Sequence, residues 1–237
     1  MMAGKDRILV AVDTPDLGRA RDLVRSLTGH VGGFKIGLEM FISHGPAFVR
    51  EVLDGGGKVF LDLKLHDIPN TVAGAAGAAA RYGVSFLTVH ALGGPEMIRR
   101  GVAAAHAAAE AEGLPAPTVL AVTILTSHSD AELRAVGVEG TCGDAVLKLA
   151  AMASAAGAGG AVCSPLEVAG VRERFPGGAL VVPGIRPASA AADDQSRIAT
   201  PAMAVASGAD YLVIGRPITR SDDPTTAAAD IAQEIDG

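Results

Sequence analysis

Four ionisable side chains crowd into residues 62–67, where Asp62, Lys64, His66 and Asp67 stand among Leu61, Leu63, Leu65 and Ile68. Carboxylates, an ammonium and an imidazole at the end of an apolar run can bind an anion, move a proton or hold a developing charge. Packing alone asks for none of them. If Val59–Leu65 is a strand, alternation sends Phe60, Asp62 and Lys64 to one face and Leu61, Leu63 and Leu65 to a buried one. His66 and Asp67 then fall at the strand's exit, and Pro69 suits the first turn of a following helix. The charges occupy a strand-to-helix loop, where parallel α/β folds carry their chemistry.

The rest of the chain repeats that layout. Short apolar runs at residues 8–12, 34–37, 58–65, 86–90, 118–125, 160–163, 179–182 and 211–214 are each followed by turn residues and helix-forming sequence, with helices expected near 46–53 and over 69–82. Eight such βα units predict a closed (β/α)8 TIM barrel, and residues 1–237 read as a single domain. Near-continuous apolar strands fit a parallel sheet covered on both faces. Alanine-rich helices over residues 75–80 and 103–109 predict close helix approach more than bulky packing. The polar stretch 188–197, with Gln195, is the longest loop candidate and is expected to form a lid.

A barrel gathers its strand ends around one mouth, here Asp13, Lys35, Asp62, Lys64, His90, Thr126, Ser127, Arg186 and Arg216. Lys35, between Phe34 and Ile36, sits on a strand too apolar to accept a charge without a partner. Asp62 and Lys64 can form a structural ion pair, but a desolvated pair contributes little stability and more often marks a site. Asp13 can equally cap a helix, His66 can be satisfied locally, and Asp67 can serve a helix N-terminus. A metal held by Asp62, His66 and Asp67 is disfavoured, because Lys64 and Lys35 would repel the cation. At the last strand end, Gly215-Arg216-Pro217 offers backbone N–H groups and a guanidinium to a phosphate.

A net charge of −6 argues against a nucleic-acid or anionic-membrane surface. No run is long and apolar enough for a membrane span or a secretory signal, and the two cysteines, Cys142 and Cys163, make no disulfide framework. A cytoplasmic protein is expected.

The run Asp62-Leu63-Lys64-Leu65-His66-Asp67-Ile68-Pro69-Asn70-Thr71-Val72 resembles the signature of the orotidine 5′-phosphate decarboxylase family. The segments Phe34-Lys35-Ile36-Gly37, Leu125-Thr126-Ser127, Pro183-Gly184-Ile185-Arg186 and Ile214-Gly215-Arg216-Pro217 extend the resemblance over nearly the whole chain. It implies a homodimer with shared active sites that converts orotidine 5′-monophosphate to UMP and carbon dioxide with no metal or organic cofactor. By the same resemblance Lys64 gives the proton to C6, Asp62 faces the departing carboxylate, and Lys35 and Asp67 complete the charge network. Asp67 and Thr71 are expected from the neighbouring subunit. Asp13 and Lys35 would meet the ribose, Thr126 and Ser127 the pyrimidine edge, and Gln195, Gly215 and Arg216 the phosphate. Ile68, Pro183 and Arg186 match further substrate-contacting positions.

Overall fold

The structure, a computed structural model, describes residues 2–187 and 199–237. Eight parallel strands are found among them: β1 (Ile8–Ala11), β2 (Gly33–Gly37), β3 (Val59–Leu65), β4 (Phe86–His90), β5 (Thr118–Val122), β6 (Gly160–Val162), β7 (Ala179–Val182) and β8 (Tyr211–Ile214). Each pairs with its neighbour in sequence, and β8 pairs with β1, so the sheet closes as the eightfold repeat predicts. Several runs are shorter than their apolar sequence suggests. Residues 123–125, for example, belong to the loop after β5, although Thr123 N–H still donates to the Val162 carbonyl at 3.2 Å.

The helices are α1 (Leu17–Leu27), α2 (Leu38–Asp54), α3 (Pro69–Ala80), α4 (Gly94–Ala111), α5 (Asp130–Ala135), α6 (Cys142–Ala155), α7 (Val168–Arg174), α8 (Pro201–Ala206), α9 (Arg216–Thr219) and α10 (Pro224–Asp236). Several of their starts are set by side-chain caps. Asp16 accepts from the Arg19 N–H, Ser129 with Glu132 and Thr141 with Asp144 form reciprocal boxes, and Asp223 accepts from the Thr225 and Thr226 N–H groups. The helix expected near 46–53 begins earlier, at Leu38, directly after β2. It breaks at Gly45, whose φ of 62° and ψ of −161° suit glycine, and Pro46 opens the second part.

Side chains sort into two apolar layers. Leu9, Phe60, Phe86, Leu120 and Val181 fill the barrel interior, where the Phe86 ring meets those of Phe60 and Tyr211 edge to face at 6.0 and 4.9 Å between centroids. The larger core lies between sheet and helices. Close approach of α3 and α4 is real: a Cβ on Gly77 would stand 3.4 Å from the Ala104 carbonyl oxygen. At the N-terminal face of the barrel, Arg172 donates to the carbonyls of Gly178 and Gly208, each at 2.8 Å, and to Asp210 Oδ2 at 2.6 Å. That guanidinium ties loops around β7 and β8 and leaves the opposite rim for chemistry.

Candidate active site

The mouth of the barrel brings Asp13, Lys35, Asp62 and Lys64 into one row of alternating charge. Lys35 Nζ donates to Asp13 Oδ1 at 3.0 Å and stands 3.9 Å from Asp62 Oδ2, which accepts from Lys64 Nζ at 2.8 Å. The Lys35 and Asp62 side chains are each 11% exposed, so the centre of the row is largely withdrawn from water. Gly37 makes room for it, since a Cβ there would lie 2.9 Å from Lys35 Nζ. A desolvated row of this kind adds little to stability but supplies a fixed field.

The strand carrying half of that row is not regular. Pairing of β3 with β4 runs Phe60 to Phe86 and Leu61 to Leu87, then jumps to Leu65 opposite Val89. Residues 62–64 bulge, and Lys64 takes a φ of 50°, the one positive value at a non-glycine position among the described residues. Simple alternation therefore fails here: Asp62 and Lys64 share the mouth, but Leu63 and Leu65 are only partly buried. Thr88, fully buried on β4, holds the bulge. Its Oγ1 accepts from Lys64 N–H at 2.8 Å and donates to Asp62 Oδ1 at 3.0 Å. Sequence reasoning passes over Thr88, whose only signal is a hydroxyl inside the apolar run Phe86-Leu87-Thr88-Val89.

Two cavities meet at Lys35. One, of about 360 Å³, is lined by Asp13, Pro183, Gly184, Arg186, Gly215 and Arg216. The other, of about 170 Å³, is lined by Asp62, Lys64, Ile124, Leu125, Thr126 and Cys163. Lys35, Pro183 and Val213 border both. The first is cationic on its outer side, and Gly184, with φ 80°, lets the loop turn so that Arg186 is buried against it. The second is mostly apolar apart from its charged rim. A phosphorylated ligand fits such a division, with the anion at the arginines and a flat ring against the apolar wall.

Other expected residues lie apart from these cavities. Ser127 is exposed and lines neither. Asp67, Ile68 and Thr71 are exposed at the start of α3, outside both cavities, and Asp67 Oδ1 accepts from the Ile68 N–H at 2.6 Å. Gln195 and the expected lid over 188–197 fall on or within residues 188–198, outside the described residues. His66 stacks on His90 with centroids 5.4 Å apart. Burial, chiefly, and then the nearby charges of His66, Lys64 and His128 push the His90 imidazole down to about 4, so it is neutral near pH 7 and its Nδ1 can accept from Leu92 N–H at 3.3 Å. Among the described residues no three His, Cys, Asp or Glu side chains converge as metal ligands, and no helix is long and apolar enough to cross a membrane.

Known proteins resemble this chain in sequence and fold. Residues 6–231 match the family model described as Orotidine 5′-phosphate decarboxylase / HUMPS family. The chain is 50% identical over 237 residues to the orotidine 5′-phosphate decarboxylase of Moorella thermoacetica, covering 99% of this chain and 94% of that one. It is 52% identical over 232 residues to the enzyme of the same name from Anaeromyxobacter dehalogenans, covering 98% and 99%. The crystal structure of orotidine 5′-phosphate decarboxylase from Lactobacillus acidophilus superposes with a TM-score of 0.85 at 38% identity, covering 97% of this chain and 99% of that one. Sequence and fold agree over nearly the full length, and the chain belongs to the orotidine 5′-phosphate decarboxylase / HUMPS family.

Proposed function

We propose that this protein decarboxylates orotidine 5′-monophosphate to UMP and carbon dioxide, a step of pyrimidine biosynthesis, without a metal or organic cofactor. The observation that carries this reading is the Asp13, Lys35, Asp62, Lys64 row beside an apolar cavity and an arginine-lined one. With the phosphate at Gly215, Arg216 and Arg186, and the ribose near Asp13 and Lys35, the pyrimidine reaches toward Thr126 and Lys64.

Cleavage of the bond between C6 and the carboxyl carbon releases carbon dioxide and leaves its electron pair on C6. A fixed ammonium at that point stabilises the developing charge without solvent reorganisation. Lys64 then transfers a proton from Nζ to C6, and solvent restores it. Asp62 Oδ2 accepts from Lys64 Nζ and faces Lys35 Nζ, so Asp62 serves by holding Lys64 and facing the substrate carboxylate. Phosphate contacts remote from C6 supply binding energy that offsets the cost of desolvating the reacting groups.

We further infer a homodimer with shared sites. Asp67, Ile68 and Thr71 are exposed and lie off their own chain's cavities, Ile68 with 67% of its surface free, so they are available to a neighbouring mouth. Two free cysteines suit a cytoplasmic setting.

The test is direct. Purified protein mixed with orotidine 5′-monophosphate in EDTA should change the ultraviolet absorbance from that of substrate to that of UMP. Absence of turnover, with metal-dependent aldol activity on ribulose phosphate instead, would move the chain to the other branch of its family.

A further inference from the structure

We propose that Thr88 is a positioning residue for decarboxylation, one hydroxyl that sets both the Lys64 ammonium and the Asp62 carboxylate. The inference rests on the proposed activity and adds a residue to it.

Between the pairs Leu61 with Leu87 and Leu65 with Val89, β3 spends residues 62–64 while β4 spends Thr88 alone. The extra backbone has no strand partner in register, so Lys64 N–H takes the Thr88 side chain as its acceptor at 2.8 Å. A threonine hydroxyl has one proton, and it goes to Asp62 Oδ1 at 3.0 Å. That bond fixes the carboxylate plane and leaves Oδ2 for Lys64 Nζ at 2.8 Å and Lys35 Nζ at 3.9 Å.

Three features make the hydroxyl a rigid clamp. Thr88 is wholly buried, so water does not compete for its bonds. It is β-branched, which restricts χ1 and aims Oγ1. Its own backbone is held in register by β5, opposite Leu120. Removing the hydroxyl would leave a part-buried donor on Lys64 and a buried acceptor on Asp62 without this partner, and the bulge would relax toward another geometry. The ammonium would then stand off the reacting carbon, and misplacement of that kind lowers the rate more than the affinity.

The test compares Thr88→Val, which keeps the shape and loses the hydroxyl, with Thr88→Ser, which keeps the hydroxyl. Turnover of orotidine 5′-monophosphate, KM, UMP affinity and thermal midpoint are measured for each. Thr88→Val should lose at least about tenfold in kcat with KM and UMP affinity within about threefold, while Thr88→Ser stays within about threefold of wild type throughout. If Thr88→Val does not fold, Thr88→Ala against Thr88→Ser makes the same comparison, with the hydroxyl as the difference. Equal kcat in hydroxyl and non-hydroxyl variants overturns the proposal, as does a non-hydroxyl variant that loses thermal stability but keeps kcat, since Thr88 would then be structural only. Wild type inactive on orotidine 5′-monophosphate would instead sink the activity itself.

Discussion

Lys64 reaches back along its own strand, and its Nζ donates to Asp62 Oδ2 at 2.8 Å from a backbone at φ 50°. Residues two apart in a regular strand project to one face roughly 6.5 Å apart, a gap that the long Lys64 side chain spans to reach Asp62. A non-glycine residue in the left-handed region costs about 1–3 kcal/mol. The ion pair to Asp62 and the bond from Lys64 N–H to Thr88 offset that cost locally. Spending conformational energy to fix one ammonium is sensible where charge is to develop beside it.

The arginine-lined cavity leads to a prediction about the remote end of the substrate. Arg216→Ala should lower kcat/KM for orotidine 5′-monophosphate by about 30-fold or more, the scale of a charge-assisted contact to phosphate. Toward orotidine, which lacks the phosphate, the same variant should lose less than about threefold. Equal losses on both substrates would place Arg216 away from the phosphate.

His90 gives the fold a pH dependence with a definite sign. Its folded value, about 4, lies below the ordinary 6.5, so between those limits the unfolded chain binds the proton and the native state resists it. Stability is complete above pH 6.5 and falls as pH drops through the window. The groups around the imidazole are His66, Lys64 and His128. Glu51, Glu132 and Asp223, whose values are lowered by hydrogen bonds from ordinary values of 4.5, 4.5 and 3.8, lose their contributions at lower pH. Urea midpoints at pH 7.5 and 5 should therefore differ more in wild type than in His90→Gln; equal differences would assign the loss to other groups.

The exposed Asp67 supports a complementation test of the proposed shared site. Lys64→Ala and Asp67→Asn homodimers should each be nearly inactive. If each site takes Lys64 from one chain and Asp67 from the other, as proposed, a mixed dimer has one intact site, and random reassociation of equal amounts should restore roughly a quarter of wild-type activity. No recovery after co-refolding, with full recovery of wild type treated alike, would mean that Asp67 acts within its own chain.

Much of the barrel could be read from the chain because its signals are local. Most strands are apolar runs closed by polar or turn residues, and the ends of β7 and β8 fall where those runs end, at Pro183 and Gly215. Asp13, Lys35, Asp62 and Lys64 were recognisable because charge at the end of such a run is out of place. What the chain hid depends on partners distant in sequence. The β3 bulge is a register relation with β4, so regular alternation misjudged Leu63 and Leu65 and passed over Thr88. The early start of α2 was obscured by Gly45 and Pro46, which read as a helix beginning but lie at a break within one. Ser127 follows Thr126 in sequence yet is exposed and lines neither cavity, the two residues lying in a turn that His128 N–H closes on the Leu125 carbonyl.

The most direct measurement is the turnover of orotidine 5′-monophosphate by Lys64→Ala beside wild type, with UMP binding measured on both. In the proposed mechanism the ammonium acts chiefly on charge that develops in the transition state, so kcat should fall below about a hundredth of wild type while UMP affinity changes by less than about tenfold. A folded Lys64→Ala protein that keeps more than about a tenth of the wild-type kcat would contradict the central role of this lysine.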